Sequence, residues 1–337
     1  GVSEDYISGN RTPYEKFEKW AEILPQAMRH PIYHQAHMEL NRVFGIGETL
    51  KPSNARDIYE SCTAKLQTPE YLPQAILRRL RIETLATTDD PADSLNAHLT
   101  LRETGGADAL RIIPTWAPDR VLDLRHSDYN LYLDQLAAAS DTVISTYNDL
   151  LTALRRRHKA FGEAGCVATL HRLTTFPDAP SADDAQMAHE ALRKVREGGE
   201  PTADECLSFR AVLLRDLAEM DAEAERMQMF HVGALRDLHP RLYKKIGPDA
   251  GFDAPTDQPT AEQMARFFAR LDADGALPET IVSCDRLSDA PSVAGVAACF
   301  AGRGLRVQYA PAGWHIGRPG ALETHLDVMT TEGLVAQ

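Results

Sequence analysis

Residues 110–116 read LRIIPTW, and this short apolar run decides the fold class. A run that stays apolar, without alternating polar residues, is typical of a strand that is covered on both faces in a parallel sheet. Similar runs recur along the chain at 82–88, 165–170, 227–235, 280–285 and 305–310. Long segments with helical spacing of apolar residues separate these runs. Strands and helices in this repeated alternation predict an α/β protein with a parallel sheet.

The ends of the apolar runs suit either a parallel barrel or an open, doubly wound sheet. Several runs finish in polar or special residues, such as TTDDP at 87–91 and HVGALR at 231–236. In a parallel barrel, the carboxyl ends of the strands hold the active site. No GxGxxG motif follows the first run, so a dinucleotide-binding, doubly wound sheet loses support.

Two helical parts accompany the predicted barrel. Residues 1–80 carry helix start signals, so we expect a helical region there that packs on the barrel. Residues 81–337 then hold the barrel strands, with a helical insertion at about 174–226. The segments PDAPSADDA and REGGEPTADE within this insertion mark exposed turns.

The composition excludes several classes of partner. Of the 337 residues, 36 are Lys or Arg and 49 are Asp or Glu, so the net charge is −13. Nucleic acids and anionic membranes bind basic surfaces, so neither is expected as a partner. The five scattered cysteines form no CxxC pair, which argues against a zinc ribbon and predicts a reducing, cytoplasmic location.

One histidine pair raises the question of a metal site. In YHQAHMEL, residues 33–40, His34 and His37 are three residues apart and share one helical face. Zinc hydrolases with the HExxH motif place the histidines four apart with a glutamate between them, whereas Glu39 follows this pair. The two alternatives are a metal site and a packed or capping pair, and the spacing favours the second.

Five segments, in order along the chain, resemble the uronate isomerase (glucuronate isomerase) family. They are DYISGNRTPYEKFEKWAEILP, IYHQAHMELNRVFGI, ATTDDPADSL, HVGALR and KIGPDAGFD. The family belongs to the amidohydrolase superfamily, whose members are (β/α)8 TIM barrels. The resemblance implies an enzyme of carbohydrate metabolism that interconverts D-glucuronate and D-fructuronate, and also D-galacturonate and D-tagaturonate. A proton moves between C2 and C1 in this reaction.

The resemblance also implies roles for four residues. His231 matches a catalytic histidine at the end of the fifth barrel strand. Arg236 matches a substrate-binding arginine, whose planar guanidinium suits a sugar carboxylate. His171, in GCVATLHRL, and Trp314, in AGWH, match residues that bind substrate. Without the resemblance, a core histidine, a surface arginine and two packing residues are the simpler interpretations.

The sequence also departs from the family pattern. The family's first strand ends in His-x-His and its eighth strand in an aspartate, and these residues bind a divalent metal that we expect to be zinc. Neither motif is found in this sequence, so we expect six barrel strands, without the first and the last. Ala117 and Leu170 stand where the family has an arginine and an aspartate. Arg172 and His239 are candidates to replace the lost guanidinium.

These departures leave two alternatives beside a working isomerase. One is a non-catalytic or truncated relative that keeps the scaffold for binding, which Ala117 and Leu170 favour. The other is an amidohydrolase-type metal hydrolase with a changed substrate. The leading hypothesis expects a small uronate sugar as the ligand, and a homo-oligomer is an open possibility for the assembly.

Overall fold

The structure is a computed structural model that describes residues 1–104, 110–302, 307–313 and 320–334. Four helices lie within the first eighty residues: α1 (Pro13–Ile23), α2 (Pro31–Arg42), α3 (Ala55–Leu66) and α4 (Pro73–Arg79). A small separate core lies between α1, α2, α3 and the segments that connect them, and it is formed by Ala21, Leu24, Leu40, Leu50, Ala55 and Ile58. The division of the chain into this region and a barrel stays a prediction.

Local sequence explains how these helices begin. The Thr12 side chain accepts a hydrogen bond from the amide of Glu15, and the Glu15 carboxylate accepts one from the amide of Thr12 at 2.9 Å. This reciprocal cap, with Pro13 in the first helical position, is the start signal that the sequence predicts for α1.

In α2, His37 is structural. Its Nδ1 donates to the Tyr33 carbonyl at 2.7 Å, and its Nε2 accepts from the Leu50 amide at 2.9 Å.

Eight strands follow in the described residues. They are β1 (Thr84–Asp89), β2 (Arg111–Trp116), β3 (Ala168–Leu173), β4 (Met227–Val232), β5 (Ala234–Leu235), β6 (Ala254–Pro255), β7 (Thr280–Cys284) and β8 (Val307–Tyr309). Six of them form one parallel sheet in the order β1, β2, β3, β4, β7, β8, and β5 pairs with β6 in an antiparallel ribbon. The predicted α/β fold with six parallel barrel strands is confirmed.

Helices alternate with these strands as the sequence predicts. They are α5 (Asn96–Thr104), α6 (Tyr129–Ser140), α7 (Tyr147–Glu163), α8 (Ala182–Arg196), α9 (Ala203–Glu223), α10 (Pro240–Ile246), α11 (Ala261–Ala273), α12 (Ala290–Cys299) and α13 (Ala321–Thr331). The span predicted as an insertion holds α8 and α9, which begin with capping boxes at Ser181 and Thr202. Within the described ranges, no helix is both long enough and apolar enough for a membrane crossing.

Two glycines move strand boundaries away from the predicted runs. Gly165 has φ +98° and ends α7, where the amide of Cys166 bonds back to the carbonyl of Phe161, so β3 starts at Ala168 and not at residue 165. Gly233 has φ +106°, a conformation that favours glycine, and it breaks the predicted run 227–235 after Val232.

The core lies between the sheet and the helices that cover it. Trp116 packs edge-to-face on His158 and Phe161 of α7, with ring centroids 5.4 and 5.0 Å apart. Asp221 of α9 accepts hydrogen bonds from Thr169 of β3 at 2.7 Å and contacts His158 at 2.9 Å. These contacts define the outer, helix-covered face of β2 and β3.

The sheet is unevenly paired. Six residue pairs join β1 to β2, and six join β3 to β4. In contrast, β2 and β3 are paired at a single position, Trp116 opposite Thr169. The sheet is therefore weakest between β2 and β3.

Candidate active site

Polar side chains meet at the carboxyl ends of three adjacent strands. Arg172 of β3 lies opposite His231 of β4, and His231 lies opposite Ser283 of β7. Register partners in a parallel sheet project to the same face, and successive residues alternate between faces. Because Thr169 contacts α9 on the outer face, alternation along β3 places Arg172 on the inner face. The row Arg172, His231, Ser283 therefore faces the inside of the barrel.

A cavity of about 210 Å³ opens beside this row. Its lining includes Asp119, Arg172, Thr174, His231, Arg236 and Asp249. The cavity lies at the carboxyl end of the sheet, where parallel α/β folds hold their ligands. His231 and Arg236, which the sequence predicts as catalytic and substrate-binding, both line it.

His231 is oriented by a buried carboxylate. Its Nε2 lies 2.5 Å from Oδ1 of Asp285, whose side chain has no exposed surface, while the His231 side chain is 20% exposed. An ionised carboxylate only accepts, so in the neutral imidazole Nε2 carries the proton and Nδ1 holds the lone pair. Asp285 is itself fixed by its amide, which donates to the carbonyl of Val232 at 2.9 Å. This arrangement is suited to a general base.

Arg236 is held by the loop before β6. Its Nη1 donates to Oδ2 of Asp253 at 2.7 Å, and Oδ1 of Asp253 accepts from the Asp237 amide at 2.9 Å. Burial by itself raises the pKa of Asp253, but the Asp237 amide and the Arg236 guanidinium lower it by more, so that the pKa lies below its usual value. The carboxylate is thus a firm anchor for the guanidinium.

A second guanidinium reaches the cavity from β3. Nε of Arg172 donates to Oδ2 of Asp119 at 2.5 Å, and the Arg172 amide donates to Oδ1 of Asp119 at 3.0 Å. Asp119 lies in the segment that follows β2, so this pair links two strands that share a single residue pair. Both partners remain partly exposed, at 41% for the Arg172 side chain and 22% for that of Asp119.

His171 lies on the opposite face from His231. Its ring is fully buried and stacks on Phe230, with the centroids 5.1 Å apart. Burial lowers the pKa of His171, so the ring is neutral at pH 7. Neither ring nitrogen has a hydrogen-bond partner among the described residues. The structure therefore does not bring His171 together with His231 and Arg236, and its role in binding substrate stays a prediction.

The remaining predicted positions add little to the cavity. Trp314 lies outside the described residues. Ala117 is buried directly after β2. Leu170 lies opposite Met229, which lies opposite Ile281, so it belongs to an apolar row below the polar one.

The sequence interpretation did not assign roles to Asp285 and Asp119. Asp285 ends the run TIVSCD and Asp119 ends the segment PTWAPD. A carboxylate at the end of an apolar run was the available signal in both cases. For Arg172, the sequence predicts only a replacement for the guanidinium missing at Ala117.

The described residues do not form a metal centre. Within 1–104, 110–302, 307–313 and 320–334, no group of three or more His, Cys, Asp or Glu side chains is arranged to hold a metal ion. His37 uses both ring nitrogens in backbone contacts. The residues described here therefore do not fit a metal on their own.

Comparison with known proteins identifies the family of the chain. The sequence model of the glucuronate isomerase family matches residues 1–337. The chain belongs to the glucuronate isomerase family. The uronate isomerase of Bacteroides fragilis is 36% identical over 343 residues, which cover 100% of this chain and 72% of that protein.

Two solved structures share the glucuronate isomerase fold of this chain. The uronate isomerase from Thermotoga maritima superposes with a TM-score of 0.89 at 31% identity, covering 97% of this chain and 71% of the other. The glucuronate isomerase from Caulobacter crescentus superposes with a TM-score of 0.88 at 26% identity, covering 99% of this chain and 69% of the other. The barrel-type fold predicted from the family resemblance is thus confirmed.

Proposed function

We propose that this chain is a uronate isomerase that interconverts D-glucuronate and D-fructuronate, and D-galacturonate and D-tagaturonate. One observation supports the proposal most. In a chain of the glucuronate isomerase family, a His231–Asp285 pair lies at the carboxyl end of the sheet, beside the guanidinium groups of Arg172 and Arg236. A general base can remove the C2 proton of a sugar, and cationic groups beside it can bind the carboxylate of a sugar acid.

His231 is the proposed base. Its Nδ1 takes the C2 proton of the open-chain aldehyde, the C2–H electron pair forms the C1–C2 double bond, and the aldehyde oxygen becomes an enediolate oxygen. A proton then moves from the C2 hydroxyl to the C1 oxygen, and the imidazolium returns its proton to C1. The products are the ketose and a neutral imidazole. Asp285 stabilises the imidazolium between these steps because its carboxylate is buried 2.5 Å away.

Arg236 is the proposed partner of the C6 carboxylate. A guanidinium pairs with a carboxylate through parallel N–H groups, and such charge-assisted hydrogen bonds orient as well as bind. Asp253 holds Arg236 at 2.7 Å, so the side chain is positioned before the substrate arrives.

A divalent metal, which we expect to be zinc, belongs to the proposal through the family resemblance. The side chains in the described part of the chain do not assemble three ligands for it, so no step is assigned to a metal. Elemental analysis of the purified chain by inductively coupled plasma mass spectrometry tests this expectation. One zinc per chain supports it, and a metal-free chain that isomerises glucuronate contradicts it.

The proposal includes a cytoplasmic location and a homo-oligomeric assembly. The five cysteines are free, which suits a reducing compartment. Light scattering coupled to size-exclusion chromatography tests the assembly, and a mass of 37.2 kDa would show a monomer instead.

Proton NMR of D-glucuronate with the purified chain in D2O, with and without added zinc, tests the activity. We expect fructuronate signals and loss of the C2 proton signal as deuterium enters. D-Glucose, which lacks the carboxylate, is the matched substrate control and is expected to react far more slowly. A chain that is folded by circular dichroism and gives neither exchange nor product contradicts the proposal and favours a non-catalytic relative.

A further inference from the structure

Arg172 stands out because most of its hydrogen-bonding capacity is unused. A guanidinium carries five N–H donors, and Asp119 takes the one on Nε. Among the residues that the structure describes, Nη1 and Nη2 of Arg172 donate to no partner. The side chain lines the same cavity as His231 and Arg236.

Asp119 holds Arg172 in place, while the Arg172 side chain stays 41% exposed. One carboxylate oxygen accepts from the Arg172 amide and the other from Nε of its side chain. The backbone and the side chain of one residue are thereby held by a single carboxylate. An ion pair this exposed contributes little to stability, so stability does not account for the arrangement. Its evident effect is to hold the guanidinium at the cavity.

The cavity lining carries two guanidinium groups, of Arg172 and Arg236, and three carboxylates, of Asp119, Asp237 and Asp249. The unused N–H donors of Arg172, rather than the net charge of the lining, favour an anionic ligand. Asp119 is engaged by Arg172, and Oδ1 of Asp237 accepts from the Asp249 amide at 3.0 Å. The cavity measures only about 210 Å³, so a ligand that fills it contacts both the Arg172 and the Arg236 sides. A carboxylate offers the acceptor pair that a guanidinium edge requires.

We propose that Arg172 is a specificity-determining residue that binds the carboxylate of the sugar acid together with Arg236, and that Asp119 is its positioning residue. The inference rests on the proposed function for the identity of the substrate. It explains how a chain with Ala117 after β2 retains two guanidinium groups at the cavity. Arg172 then selects acidic sugars over neutral sugars of the same shape.

The test uses two open-chain ligands that cannot isomerise. L-Gulonate is D-glucuronate with its aldehyde reduced, and D-glucitol has the carboxylate reduced as well. Isothermal titration calorimetry of the whole chain measures both affinities. We expect the wild type to bind L-gulonate more tightly, and Arg172→Gln to bind it about 10-fold or more weakly with little change for D-glucitol. Arg172→Lys is expected to recover part of the affinity because it keeps the charge.

Three further variants separate positioning from folding. Asp119→Asn is expected to weaken L-gulonate binding less than Arg172→Gln does, and Asp119→Glu to recover part of the loss. Arg193→Gln removes an exposed arginine that pairs with Glu197 on α8, and is expected to leave both affinities unchanged. Circular dichroism spectra establish that each variant is folded.

The outcomes distinguish this inference from the proposed function. Equal L-gulonate affinity in the wild type and Arg172→Gln overturns the inference, as does equal weakening for both ligands or a wild type that binds neither. If the wild type isomerises glucuronate and Arg172→Gln keeps its KM, the function stands and the inference fails. If the wild type does not isomerise but binds L-gulonate through Arg172, the inference stands and the function fails.

Discussion

The imidazole of His231 and the carboxylate of Asp285 form a 2.5 Å contact between adjacent parallel strands. Asp285 is fully buried, and the imidazole reaches the cavity. A proton accepted by His231 therefore creates an ion pair inside the protein, where the interaction is stronger than in water. The Asp285 carboxylate therefore stabilises the protonated form of His231 during proton transfer.

Replacing His231 is expected to abolish most isomerase activity. His231→Asn removes the proposed base while keeping a polar side chain, and a positioned base accounts for about 100- to 10,000-fold in rate. The NMR exchange assay measures the loss, with circular dichroism to establish folding. His189→Asn is the matched control, because this exposed histidine stacks on Tyr147 away from the cavity. Full exchange by His231→Asn would rule out the assigned base.

Replacing Asp285 tests whether its charge matters. Asp285→Asn keeps the size of the side chain but cannot neutralise an imidazolium, so we expect kcat to fall about 100-fold or more with little change in KM. Steady-state kinetics over a range of glucuronate concentrations separate the two constants. Asp289→Asn, which disrupts a pair with Arg286 outside the cavity, is expected to keep kcat. A change confined to KM would argue against the stabilising role.

Asp90 is expected to make stability depend on pH. Burial raises its pKa to about 6, although the Ala92 amide and Arg120 oppose the shift. The folded chain thus holds this proton more tightly than the unfolded chain, so the contribution of Asp90 to stability falls as pH rises from about 4 to above 6. Asp90→Asn removes that loss and is expected to gain up to about 3 kcal/mol relative to wild type between pH 4 and pH 7.5.

Urea unfolding of both proteins at the two pH values measures this difference. Asp183→Asn, at an exposed position, is the control and is expected to show no comparable change with pH. An equal effect of Asp90→Asn at pH 4 and at pH 7.5 would show that the carboxylate is not buried as described.

The cysteines are expected to react in a fixed order. Cys299 is exposed, whereas Cys166 and Cys284 are buried. Burial raises the pKa of Cys284 to about 11 and also raises that of Cys166, and only the thiolate reacts. At pH 8, a disulfide reagent such as DTNB should therefore label Cys299 rapidly and the two buried thiols only after unfolding. Cys299→Ser should remove the rapid phase, and Cys166→Ser should retain it.

The sequence predicts the sheet well because strands that are covered on both faces are mostly apolar, although β1 is largely exposed. Every predicted run overlaps one of the six parallel strands, as LRIIPTW overlaps β2. Their ends are harder to predict, since a glycine can close a helix or break a strand. Gly165 does the first and Gly233 does the second, and both lie inside runs that look uniform.

The site is less predictable because it depends on which distant segments become neighbours. His231 and Asp285 are 54 residues apart, and Asp119 and Arg172 are 53 apart. No local spacing encodes such pairs. His171 shows a second difficulty, since an apolar run does not reveal which of its residues point outward. A shift of one residue along β3 exchanges the helix-covered face for the cavity.

The Arg172–Asp119 contact spans the boundary of the sheet where β2 and β3 share a single residue pair. The sheet has two well-paired parts. Asp119 follows the first, β1 and β2, and the second, which begins with β3 and β4, carries Arg172, His231 and Asp285. Because β2 and β3 share so little backbone pairing, this side-chain contact also joins the two parts of the sheet at its carboxyl end. A ligand bound by the Nη groups of Arg172 therefore contacts the same side chain that spans this boundary.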